Sequence, residues 1–176
     1  MPVEVSTAVD VDVPELADVA ARTFPLACPP RVTQRDIADF ISENLSARRF
    51  TDYLADHDRV VLVARSGDRI LGYAMLIRGV ADDPDVARAV PLRPAIELSK
   101  MYVAPDHHGA GVSPALMSAA FDASGDLGAA CVWLGVNQDN QRAQRFYAKH
   151  GFATRGTKTF RLGGHVENDY VMVRAL

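Results

Sequence analysis

Between Glu97 and Val136 the chain runs apolar strand, glycine turn, helix, apolar strand, and that order restricts the fold more than any other feature. Glu97-Leu-Ser-Lys-Met-Tyr-Val103 has the character of a buried strand, and Gly109 and Gly111 loosen the turn after it. Leu116, Ala120, Ala123 and Leu127 keep a helical period, and the small Ala115, Ser118 and Ala119 let that helix pack closely on a sheet. A second apolar run covers 129–136. Two strands joined through a helix on one face of a sheet lie parallel. The N–H groups of the turn and of the first helical turn have no intrahelical partner, so together they form a site for an anion such as a phosphate.

The rest of the chain adds antiparallel neighbours. Residues 3–8 alternate apolar and polar like an edge strand. Asp12, followed by Pro14 and Glu15, is the expected N-cap of a first helix running to about Phe24, where Pro25, Pro29 and Pro30 break it. Thr33 and Ser46 cap two further helices, with Ile37, Phe40, Ile41 and Leu45 on one stripe and Phe50, Tyr53 and Leu54 on the next. Asp36, Asp39, Glu43 and Asp52 read as solvent-facing acids. Runs 59–64 and 70–77, around Ser66-Gly67-Asp68, form a hairpin. Residues 79–94 carry three prolines with little periodicity and read as a mobile surface loop. Asn140 caps a helix with Ala143, Phe146, Tyr147 and His150 on one face, and Gly151 ends it. Strands near 152–162 and 168–175 meet at Gly163-Gly164. The expectation is one α/β domain over 1–176, with a mixed, mostly antiparallel sheet, one splayed parallel pair and flanking helices.

Composition excludes several classes. The net charge of -3 carries no long run of one sign, which argues against nucleic acid or an anionic membrane as partner. No apolar run reaches a membrane span, and the first residues lack the pattern of a secretory signal. Cys28 and Cys131 form no metal or redox spacing, so no metal is expected and a reducing cytoplasm is the expected setting. Cys131 lies in an apolar strand as a small hydrophobe.

Two blocks resemble the GNAT superfamily of acyl-CoA-dependent N-acetyltransferases. His108-Gly-Ala-Gly111-Val-Ser113 stands where that family writes Gln/Arg-x-x-Gly-x-Gly/Ala, with His108 and Ser113 departing from the pattern. Asn140-Gln-Arg-Ala-Gln-Arg-Phe146-Tyr147-Ala-Lys149-His-Gly151-Phe152 matches the family's Asn…Ala-x-x-Phe-Tyr block closely. Within the superfamily, Glu97 to Val103 and Val132 to Val136 are similar to polyamine acetyltransferases of the PaiA type.

The resemblance implies acetyl-CoA as cosubstrate and a primary amine of a small, polyamine-like molecule as acceptor. It implies cofactor contacts from Met101, Tyr102 and Val103 through the main chain, from His108, Gly109, Ala110, Gly111, Val112 and Ser113 at the pyrophosphate, and from Asn140, Tyr147 and Lys149. Ser113 stands at the helix start and can bind phosphate or cap the helix. Tyr147 is implied as the acid that protonates the leaving thiolate, a task suited to a phenol of pKa about 10. Glu97 is a candidate base for the acceptor ammonium, or a charge that attracts it. A strand N–H near Met101 can face the oxyanion. Direct transfer is expected, because Cys131 lacks the exposed thiolate that a covalent route needs. A peptide or antibiotic amine as acceptor, a non-catalytic acyl-CoA sensor, and a homodimer are the alternatives left open.

Overall fold

A computed structural model of the protein describes residues 2–107 and 110–176, so His108 and Gly109 lie outside the described residues. Among the described residues seven strands form one sheet: β1 (Glu4–Thr7), β2 (Arg59–Ser66), β3 (Arg69–Arg78), β4 (Ala95–Val103), β5 (Cys131–Asn137), β6 (Ala153–Leu162) and β7 (His165–Ala175). Their order is β1-β2-β3-β4-β5-β7-β6. All neighbours are antiparallel except β4 and β5. The helices are α1 (Val13–Ala27), α2 (Gln34–Asn44), α3 (Ala47–Ala55), α4 (Pro84–Ala89), α5 (Val112–Asp126) and α6 (Gln141–Lys149).

Strand alternation divides the core in two. Leu76, Ile96, Leu98, Val132, Leu134 and Met172 pack with Leu116, Met117 and Ala120 of α5, and Ala143, Phe146 and Tyr147 of α6 join them. On the other face Val61, Val63, Tyr73, Met75 and Leu162 pack with Leu16, Val19 and Phe24 of α1 and Phe50 of α3. The crossover expected between two parallel strands is α5, and it lies on the first of these faces.

Local capping matches the sequence at three helices. Thr33 accepts from Asp36 N–H at 3.1 Å, Ser46 from Arg49 N–H at 3.2 Å, and Asn140 from Ala143 N–H at 3.1 Å. Three expectations are corrected. Asp12 stands at the N-cap position of α1, as expected, but its side chain does not cap that helix: it closes the preceding 3-10 turn, its carboxylate accepting from Val9 N–H at 2.9 Å and pairing with Arg65 at 3.0 Å. Helix α1 continues past Phe24 to Ala27, with Pro25 inside its last turn. Proline there leaves few bonds unmade so close to the end, and Phe24 anchors the turn by stacking on Phe40 at 4.5 Å. Residues 79–94 are not a bare loop. Asp83 caps α4, and Val86, Ala89 and Val90 pack against Ala95, Cys131, Trp133 and Val171.

Candidate active site

The parallel ladder has three rungs, Ala95↔Cys131, Ile96↔Val132 and Glu97↔Trp133. Beyond Glu97 the two strands part while each keeps its other neighbour, β3 for β4 and β7 for β5. The pairing of β4 with β3 steps from Leu76↔Leu98 to Met75↔Lys100, so Ser99 is a bulged residue at the point of divergence. A bulge bends and over-twists its strand, and here it turns β4 away from β5. On β5 the corresponding position is Gly135. A side chain there would strike Cε of Lys158, which crosses this point to reach Asp169 at 3.4 Å.

A cavity of about 340 Å³ occupies the gap. From the α5–α6 face it is lined by Met101, Asn140, Ala143 and Tyr147, and from the opposite face by Glu97, Lys100, Tyr102, Lys158, Asp169, Phe24, Phe40 and Phe160. The cleft therefore connects the two faces of the sheet through the space between β4 and β5. Tyr147 and Glu97 reach it from opposite sides.

Burial sets the ionisation of these groups. Burial raises the Tyr147 phenol to about 12, so it is a proton donor at neutral pH. Burial also raises Glu97, against the opposing pull of Lys158, Lys100 and Arg59. Lys100 is lowered to about 8, chiefly by burial and further by Arg59 and Arg49, while Glu97 opposes the shift. Asp169 is raised by burial despite Lys158. Glu167, also in the cleft wall, is held below the usual carboxylate range by Arg31, whose Nε donates to it at 3.2 Å, and by Asn137 Nδ2 at 3.0 Å. Arg31 also pairs with Asp139 at 2.8 Å, tying the segment after α1 to the strands.

The remaining sequence candidates are dispersed. Tyr102 lines the cleft, whereas Val103 is buried against the α5 core. Gly111 is the N-cap of α5 with φ +82, a left-handed conformation suited to glycine, so Ser113 falls inside the first turn and does not cap the helix. Ala110 and Gly111 are exposed just before that helix, and Val112 is buried as its first residue. Lys149 is away from the cleft, in a second groove with Pro114, Ser118, Phe121, His150 and Arg174. Asp36 is half-buried against Gly163 in the β6–β7 turn, and Asp39, Glu43 and Asp52 are exposed.

Sequence reasoning did not select Cys28, Lys100, Lys158, Glu167 or Asp169 for this site. The alternation of Glu167 and Asp169 on one strand was the readable sign that both point to the same face. Cys28 lines the cleft, but burial and the nearby Glu167 raise its thiol to about 11. Cys131 is fully buried, and its thiol faces the Leu92 carbonyl at 3.6 Å. Among the described residues no cluster of three or more His, Cys, Asp or Glu could hold a metal, and no helix is long and apolar enough to cross a membrane.

A family model described as the acetyltransferase (GNAT) family matches residues 20–152. The chain belongs to this family. It is an N-acetyltransferase, with acetyl-CoA as its cosubstrate. An uncharacterised N-acetyltransferase of Mycobacterium tuberculosis is 59% identical over 94% of this chain and 98% of its own length. Among solved structures, the acetyltransferase resembles the PaiA N-acetyltransferase of Thermoplasma acidophilum, determined in complex with coenzyme A. The TM-score is 0.78 at 18% identity, covering all of both chains. The ribosomal-protein-S18-alanine N-acetyltransferase of Escherichia coli is also similar, with a TM-score of 0.69 and 18% identity, covering 99% of this chain and 94% of that one. A shared fold does not by itself select the amine.

Proposed function

We propose that this acetyltransferase transfers an acetyl group directly from acetyl-CoA to a primary amine of a small molecule held in the cleft between β4 and β5. The observation that carries the reading is the meeting of Tyr147 and Glu97 in one cleft from opposite faces of the sheet. The residues present fit the cosubstrate. Past Glu97, β4 has no parallel partner from β5, so Leu98 to Tyr102 offer a strand edge to the amide-bearing arm. The N-terminus of α5 behind Gly111 supplies main-chain donors for the pyrophosphate. Asn140 uses its side-chain oxygen on the α6 cap, which leaves its amide N–H groups to donate toward the arm.

The cosubstrate supplies an acetyl group activated as a thioester. Glu97 accepts a proton from the acceptor ammonium, directly or through water, and so exposes the nitrogen lone pair. The carbon–nitrogen bond forms and the carbon–sulfur bond breaks, and the nitrogen gives up its second proton, which through water restores the Tyr147 phenol. Tyr147 holds its proton at Oη and gives it to the departing sulfur. The main-chain N–H groups at Met101 and Tyr102 face the charge that develops on the carbonyl oxygen. Cys28 remains a thiol and takes no acetyl group.

A polyamine-like acceptor is the finer reading that the PaiA resemblance offers, and Glu97 and Asp169 support binding of an amine. Lys100 and Lys158 in the same cleft stand against a chain of repeated cations. Two separated free cysteines fit a reducing cytoplasm as the place of action. The test is release of the coenzyme thiol from acetyl-CoA in the presence of a panel of primary amines, with the acetylated product identified by mass. Turnover on at least one small amine, largely lost in Tyr147→Phe, supports the proposal. Tight acetyl-CoA binding without acetylation of any small amine overturns it.

A further inference from the structure

We infer that the acceptor is a small primary amine that also carries a carboxylate, with the carboxylate held at Lys100 in the field of the neighbouring Arg59 and Arg49. The inference rests on the transfer reaction proposed above and names its substrate class.

Register places the cations. Arg59, Ile77 and Glu97 stand opposite one another across β2, β3 and β4, and Val61, Met75 and Lys100 form the adjoining row. Arg59 Nη1 lies 3.8 Å from Met75 Sδ, so its guanidinium leans into the row of Lys100. Arg49 on α3 lies on the same side: its guanidinium carbon is 5.1 Å from the centre of the Tyr53 ring, and that of Arg59 is 4.7 Å from it. Lys100 lines the cleft, and Arg59 and Arg49 cluster on the same face of the sheet outside its lining.

Their existing partners do not neutralise the cluster. Arg49 meets Asp52 at 3.5 Å and Arg59 meets Asp56 at 3.0 Å, both with partly exposed acids whose effect solvent screens. Among the described residues Lys100 has no carboxylate within 4.0 Å, and Arg49 Nε is buried without a hydrogen-bond partner. A half-buried ammonium beside two guanidinium groups is costly until an anion arrives. Lys158 is different, because Asp169 already pairs with it.

Size and shape narrow the ligand. Two strand steps and one bulged residue separate Glu97 from Lys100, about 7 Å along the strand. An amine at Glu97 and an anion at Lys100 are therefore joined by a short linker, as in an amino acid. Phe24, Phe40 and Phe160 give the cleft an apolar wall for the body of the molecule. A polyamine in the same pose would bring its second ammonium against Lys100.

The test compares kcat/KM, by coenzyme-thiol release, for phenylalanine, phenylalanine amide, phenethylamine, 4-aminobutyrate and spermidine. We expect at least one carboxylate-bearing amine to exceed its amide or decarboxylated counterpart by about tenfold or more, the effect of one charge-assisted bond. Lys100→Met and Arg59→Gln should each compress that ratio several-fold, mainly through KM. Arg49→Gln serves where either variant fails to fold, as judged by circular dichroism. Equal or better turnover of the amines without a carboxylate, or preference for spermidine, overturns the inference and leaves acetyl transfer standing. Turnover of no amine despite acetyl-CoA binding overturns both.

Discussion

Glu97 and Lys100 project from the same face of β4 although three positions separate them, because Ser99 is bulged out of the ladder between them. In a regular strand, residues three apart point to opposite faces. The bulge thus puts a carboxylate and an ammonium on one face where β4 leaves β5, and both line the cleft.

Glu97→Gln should lower kcat/KM by roughly 10²-fold near neutral pH, the usual contribution of a general base. The wild-type rate should rise as pH passes upward through the raised Glu97 pKa, because only the deprotonated carboxylate accepts a proton. The variant should lack that limb. A pH profile of kcat/KM for both proteins measures it, and an unchanged profile would remove Glu97 from the reaction.

Tyr147→Phe should lower kcat by about 10²-fold and leave the KM for acetyl-CoA within a few-fold, since the ring and its contacts with Phe146 and Phe152 remain. With the phenol held at about 12, wild-type kcat should not fall through loss of its proton until well above neutral pH. Steady-state kinetics on both proteins tests the two statements.

Lys100→Met should raise thermal stability at neutral pH. A lysine whose folded pKa is about 8 against 10.5 unfolded destabilises the fold fully below pH 8, and the cost fades as pH rises through 10.5. The gain is on the order of 1–3 kcal/mol at pH 7 and shrinks toward pH 10. Melting curves at the two pH values check both size and sign. Higher stability with impaired turnover would mark Lys100 as a functional charge held at the expense of the fold.

Arg31→Gln should lower the melting temperature at neutral pH, because it leaves the buried Glu167 without its guanidinium partner. Glu167 has a depressed pKa in the folded protein, so its contribution is present above its unfolded value and is lost as pH falls through the folded one. The difference between wild type and variant should therefore narrow on acidification. Thermal unfolding at neutral and acidic pH measures that narrowing.

The features legible in the sequence were those whose causes are local. Thr33, Ser46 and Asn140 each cap a helix with their own side chain, and Gly67 and Gly163 turn hairpins with φ 59 and 60. Helix α4 was missed because it is short and its apolar residues make sense only against Trp133 and Val171 from distant strands. The site was half legible. Glu97, Tyr102, Asn140 and Tyr147 line the cleft, whereas Lys149 faces another groove. Lys158, Glu167 and Asp169 enter through the β6–β7 hairpin, whose place beside β5 is a matter of sheet order. Nothing around Ser99 announces a bulge, so the neighbourhood of Glu97 and Lys100 emerges only from the register of β4 on β3.

The most direct test is a single-turnover reaction of the wild-type protein with acetyl-CoA and a small primary amine, followed by mass analysis of the amine and of the intact protein. Direct transfer predicts one acetyl group on the amine, one equivalent of coenzyme thiol, and no acetylated protein at any time point. An acetyl group appearing first on Cys28 or another protein side chain and then moving to the amine would contradict direct transfer through the cleft between β4 and β5.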